Sequence, residues 1–171
     1  MKTRKFLLAL PATFLALSAL AAGDHAGGHE ADAIGKPGVA AKVSRTVKVE
    51  MTDNMRFSFS NVAVKQGETV RFVVKNSGKV KHEMVLGTEK DLKEHAEVMK
   101  KNPGMEHADE NMVSVEPGKT GEIIWQFTRA GKVDYACLQP GHYEAGMKGI
   151  VTVAGGRKVA AKEQGHADHK H

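Results

Sequence analysis

Between Val43 and Val153 the chain repeats one pattern: a short stretch of alternating apolar and polar residues, closed by a turn built on Gly, Asn or Pro. Period-two alternation places apolar side chains on one face of a strand, so each stretch is a half-buried β-strand. Val43, Val47, Val49 and Met51 share a face if Arg45 lies at the edge, and Met55, Phe57 and Phe59 share another. Val62–Val64, Thr69–Lys75, Val80–Leu86, Met112–Val115, Gly121–Phe127, Lys132–Cys137 and Lys148–Val153 complete the set, with Gln66-Gly67-Glu68, Asn76-Ser77-Gly78, Pro117-Gly118 and Ala130-Gly131 among the turns. Short strands so spaced predict an all-β chain folded as an antiparallel sandwich. A body of about 110 residues supports one small core. Glu89–Lys101 breaks the pattern: Leu92, Ala96 and Met99 recur at helical spacing, Thr88 is placed to cap the first turn, and Asn102-Pro103-Gly104 stops it. A short helix followed by a Met- and His-containing loop is therefore inserted between strands.

The flanks read differently. Residues 1–22 combine a basic start, an apolar run from Phe6 to Leu20 and small residues permitting cleavage after Ala21 or Ala22, the pattern of a secretory signal peptide. That run has 15 residues and contains Pro11, which is short of the roughly 20 needed to span a bilayer. Removing it takes Lys2, Arg4 and Lys5 away, and the formal charge of +5 falls to +2, 22 basic against 20 acidic residues. The apparent basicity belongs to the targeting segment, which removes the support for a nucleic-acid partner. The mature chain is expected in the periplasm, without a membrane span and as a monomer. Residues 23–42 and 154–171 are polar, lack apolar periodicity and carry His25, His29, His166, His169 and His171. They read as flexible tails able to capture a metal such as copper weakly, without a preformed site. If cleavage follows Ala22, Gly23-Asp24-His25 supplies an amine, two amides and an imidazole for a square-planar Cu(II) site. His169 and His171 form one H-x-H pair, fewer than a multicopper oxidase requires.

A single Cys in an oxidising compartment excludes an intramolecular disulfide framework. Cys137 is then an inert buried thiol, an intermolecular disulfide partner or a metal ligand. Its neighbourhood favours the last: Cys137, His142 and Met147 follow one another at five-residue intervals in a turn-rich loop between two strands, and His82 offers a second imidazole from an upstream strand. Thiolate and thioether favour Cu(I), imidazole accepts both copper states, and His2Cys with a weak Met is an electron-transfer copper arrangement. Zinc more usually recruits a second Cys or a carboxylate. Met84, two residues after His82, is assigned to the core. Met105, His107 and Met112, with Met99, form a weaker candidate for a second, Cu(I)-preferring patch.

The C-x4-H-x4-M loop with an upstream His resembles the cupredoxins, the family of plastocyanin, azurin and the phytocyanins. The resemblance covers Val43 to Val153 and implies a Greek-key β-sandwich holding one type 1 copper ion. It implies that His82, Cys137 and His142 are the equatorial ligands and Met147 the axial one, and that the backbone N–H of Glu83 bonds the sulfur. Many cupredoxins carry Asn or Asp where this chain has Glu83. The HEMVLG, PGMEHADENM and CLQPGHYEAGM stretches are similar to those of periplasmic copper-resistance cupredoxins. Three roles follow: copper tolerance including acceptance of electrons from Cu(I), electron transfer with a periplasmic redox partner, or copper delivery to an oxidase. None requires a catalytic residue.

Overall fold

The computed structural model describes residues 33–106 and 108–156. Ten strands occur in it, β1 (Lys36–Pro37), β2 (Arg45–Thr52), β3 (Arg56–Phe57), β4 (Asn61–Lys65), β5 (Thr69–Asn76), β6 (His82–Gly87), β7 (Met112–Val115), β8 (Thr120–Gln126), β9 (Gly131–Ala136) and β10 (Lys148–Ala154), with helix α1 (Glu89–Lys101) between β6 and β7. One five-stranded sheet has the order β1-β8-β5-β2-β3 and the other β4-β10-β9-β6-β7. The chain passes repeatedly between the two, giving the Greek-key sandwich with an inserted helix that the resemblance implies.

Two details correct the sequence reading. The sandwich is mixed, because β2 pairs parallel to β5 and β4 parallel to β10. Alternation reports which face of a strand is buried and carries no information on the direction of its neighbour. Part of the segment read as the 23–42 tail also contacts the body, through residues 34–38. Ile34 is buried, its carbonyl accepts the Trp125 indole N–H at 2.8 Å, and Lys36 and Pro37 pair with Gln126 and Trp125. A two-residue strand is too short to show periodicity, and Ile34 is a lone apolar residue in its stretch. At the other boundary Ala154 ends β10 and accepts the Gln66 N–H at 2.8 Å.

The core between the sheets is built on Phe72 and Phe127, edge to face with centroids 6.3 Å apart, and on Phe57 and Tyr135 at 5.1 Å. Such pairs add about 0.5–1.5 kcal/mol beyond their burial. Gly149 faces Tyr135 across β9 and β10, and a Cβ there would lie 2.3 Å from the phenol ring. Every residue of β6 is buried. Met84 and Leu86 point into the main core, whereas Val85 belongs to a second cluster with Leu92, Ala96 and Met99 of α1. A strand covered on both faces loses the alternation of a half-exposed one.

Helix α1 begins where Thr88 Oγ1 accepts the Asp91 N–H at 3.2 Å, and it carries Glu89 and Asp91 in its first turn and Lys100 and Lys101 in its last. Both arrangements favour the backbone dipole. Its exposed ion pairs, Lys93–Glu89 and Lys90–Glu94, contribute little in water, so the buried face attaches it. Leu92 packs over Gly87, where a Cβ would meet it at 2.9 Å. Leu92→Ala is expected to lower the unfolding free energy by about 2–5 kcal/mol, measured by urea unfolding. A loss below 0.5 kcal/mol by that assay, on the order of an ordinary surface substitution, would show that the helix is not part of the cooperative core.

Candidate metal centre

Strand pairing assembles the site from distant parts of the sequence. β6 and β9 run antiparallel with Val85 opposite Ala136, so the start of β6, which carries His82, meets Cys137, the residue that follows β9. Cys137 and Met147 lie at the two ends of the β9–β10 loop, where the Cys137 N–H donates to the Met147 carbonyl at 3.0 Å. Within the loop the N–H of His142 donates to Gln139 at 2.9 Å and that of Met147 to His142 at 3.0 Å. Gly141 and Gly146, at φ +85° and +95°, supply left-handed backbone that a side chain rarely adopts.

Three donor atoms converge. His82 Nδ1 and His142 Nδ1 are 3.2 Å apart, and Cys137 Sγ lies 3.2 Å from His142 Nδ1 and 4.0 Å from His82 Nδ1. These are the separations of donors that each lie about 2.0–2.3 Å from one shared ion. Among the described residues this is the one group of three or more His, Cys, Asp or Glu donors so placed. His82, Cys137 and Met147 are fully buried, and His142 alone of the four is partly exposed. Among the described residues no carboxylate joins the group, and one thiolate with two imidazoles is a donor set suited to copper.

A polar shell holds the donors. Glu83 donates its N–H to Cys137 Sγ at 3.4 Å, as the resemblance implies. Its buried carboxylate accepts the Leu138 N–H at 3.0 Å, the Gln139 side-chain amide at 3.0 Å and the Ser114 hydroxyl at 3.1 Å. Three donors offset the desolvation of a buried acid and lace β6 to the ligand loop and β7. Arg56 donates to the Ala145 carbonyl at 2.7 Å, Lys100 of α1 pairs with Glu144, and Leu138 and Tyr143 pack in the cluster under α1. The inserted helix therefore braces the loop that carries three of the candidate ligands.

On the outer side, His82 Nε2 lies 3.2 Å from Asp53 Oδ1. The Lys79 backbone N–H, helped by His82 and the Val80 N–H, holds the Asp53 carboxyl below its ordinary range. A carboxylate only accepts, so Nε2 is the protonated nitrogen and the Nδ1 lone pair faces Cys137. Burial lowers the His142 pKa, and the nearby His82 adds to the effect. Burial likewise pushes the Cys137 thiol up to about 12, against a smaller downward pull from the Glu83 and Gln139 N–H groups.

Of the weaker candidates, Met112 is buried beneath α1, Met105 is exposed, and both line a cavity of about 100 Å³ beside Glu83 and Gln139. Met99 is buried in the helix face and Met84 in the main core. His107, His25 and the remaining tail histidines, like the signal segment, lie outside the described residues. Sequence reasoning did not find Asp53 or Arg56. Both lie in the β2–β3 hairpin, where turn chemistry accounts for them, and their partners are 29 and 89 residues away.

Residues 43–154 match the copper-binding plastocyanin/azurin family. The chain is a cupredoxin. It is 54% identical over 132 residues to the copper-resistant cuproprotein CopI of Rubrivivax gelatinosus, covering 75% of this chain and 80% of that protein. With CopI of Pseudomonas aeruginosa it shares 38% identity over 177 aligned positions, 84% of this chain and 96% of that one. Among solved structures, the reduced auracyanin of Roseiflexus castenholzii superposes with a TM-score of 0.56 at 26% identity, covering 66% of this cupredoxin and 98% of the auracyanin. The His-Cys-His centre fits a type 1 copper ion.

Metal binding requires the thiolate. With the Cys137 pKa far above neutrality, copper binding at pH 8 is expected to release about one proton per ion from this thiol, and affinity is expected to fall as pH is lowered. Titration calorimetry in buffers of different ionisation enthalpy counts the protons. A count near zero would mean that the thiolate exists before the metal arrives.

Proposed function

We propose that this cupredoxin holds one copper ion through His82, Cys137, His142 and the axial Met147, and that it works in the periplasm in copper tolerance. The convergence of His82 Nδ1, Cys137 Sγ and His142 Nδ1 within 4.8 Å carries the reading. Copper bound there supplies one-electron chemistry between Cu(II) and Cu(I). Cys137 and His82, fixed on paired strands, keep the donor set in one arrangement, which limits rearrangement between oxidation states. The loop turns and the Glu83 network hold His142 in register with them, and its partly exposed imidazole is the point at which an electron can enter or leave. Met147 is held by backbone bonds to Cys137 and His142 on either side of the loop.

The tolerance role is supported by the names of the CopI relatives, copper-resistant cuproproteins, and by the His-containing segments flanking the body. The periplasmic location is supported by the sequence of residues 1–22, which has the pattern of a secretory signal peptide. A carrier role is the second reading, favoured by His142 alone reaching the surface. Acceptance of electrons from Cu(I) is compatible with either.

Cys137→Ser is expected to abolish the intense visible sulfur-to-copper absorption of the loaded protein, and survival of that band would remove Cys137 from the ligand set. Deletion of the gene is expected to sensitise cells to copper in growth assays. Normal growth under copper together with impaired respiration would favour the carrier.

A further inference from the structure

Asp53 stands outside the ligand loop, in the turn between β2 and β3, yet its carboxylate is fixed on His82. Oδ1 receives the His82 Nε2–H at 3.2 Å and the Lys79 N–H at 3.0 Å, and it lies 3.4 Å from the Val80 nitrogen, while Oδ2 receives the Lys79 N–H at 2.8 Å. The donors all come from the four residues that lead into and begin β6.

The backbone is shaped to admit this contact. A Cβ on Gly78 would fall 2.0 Å from Asp53 Oδ1 and 2.8 Å from its Cγ, so no other residue fits there with the carboxylate in place. Asn76, fully buried, sets the turn by accepting the Gly78 N–H at 2.8 Å and donating to the Val80 and Val115 carbonyls at 2.8 and 2.9 Å. The Asp53 side chain is 40% exposed and the imidazole 0%. The acid thus covers the solvent side of a ring whose other nitrogen faces Cys137 and His142.

We infer that Asp53 is a positioning residue of the metal centre, selecting the Nδ1-donor tautomer of His82 and shifting the copper couple toward Cu(II). A carboxylate that accepts the distal N–H of a ligating imidazole fixes the ring and raises its basicity. A stronger donor and an added negative charge stabilise the doubly charged ion more than the singly charged one. The inference rests on the proposed copper reading of the site.

The test uses the full-length protein loaded with copper. Asp53→Asn keeps the shape and an oxygen acceptor but removes the charge. It is expected to lower Cu(II) affinity about tenfold with a smaller change for Cu(I). A tenfold loss confined to Cu(II) raises the reduction potential by about 59 mV for a one-electron couple, and any parallel loss for Cu(I) makes the rise smaller. Gly78→Ala retains the acid but occupies its position, and it is expected to raise the potential in the same direction. Unfolding of the metal-free variants, followed in parallel, reports any purely structural part. If Asp53→Asn keeps the parental potential and affinity ratio, whatever its unfolding temperature, Asp53 is a structural tie and the inference falls. A parent protein without thiolate-to-copper absorption defeats the copper reading itself. A parent with that band and an unchanged Asp53→Asn potential defeats this inference alone.

Discussion

The antiparallel pairing of β6 with β9 is the constraint on which the centre depends. His82 and Cys137 are 55 residues apart, and only the register that sets Val85 opposite Ala136 brings their donor atoms within 4.0 Å. A one-residue slip would turn Cys137 to the opposite face of the sheet. That register is secured by burial on both sides of β6, with Met84 and Leu86 in the sandwich core and Val85 under α1. The metal centre is in this sense a by-product of core packing, and its rigidity is that of the core.

Around this frame the polar groups divide into two sets. Glu83 works from the protein interior, tying Leu138, Gln139 and Ser114 to the strand that carries His82. Asp53 works from the solvent side, through Nε2 of the same histidine. Consecutive residues 82 and 83 project to opposite faces of β6, so one strand presents a ligand to the centre and a carboxylate to the loop beside it. The sulfur receives the Glu83 N–H, while burial keeps its proton on in the absence of metal. If Cys137 is a ligand, as proposed, copper binding at neutral pH is expected to release that proton.

The helix inserted between β6 and β7 could have been a surface addition. Instead it supplies Leu92, Ala96 and Met99 to a cluster that includes Leu138 and Tyr143 of the ligand loop, and Lys100 pairs with Glu144 of that loop. Loops that carry ligands are ordinarily mobile. Here apolar packing beneath the loop, the Arg56 bond above it and the Glu83 network at its root reduce that freedom.

The strands, the helix with its Thr88 cap and the Cys-His-Met spacing were legible in the sequence because they depend on period, turn chemistry and neighbours a few residues away. Family membership followed from the same loop. Strand direction, the docking of Ile34 under Trp125, the brace formed by α1 and the contacts of Asp53 and Arg56 were not legible. Each joins segments far apart along the chain, and local periodicity records which side of an element is buried without recording what buries it. The sequence by itself determined which side chains could bind a soft metal. Tertiary structure decided that His82, Cys137 and His142 meet, and which carboxylates stand behind them, because only long-range pairing of β-strands brings those atoms together.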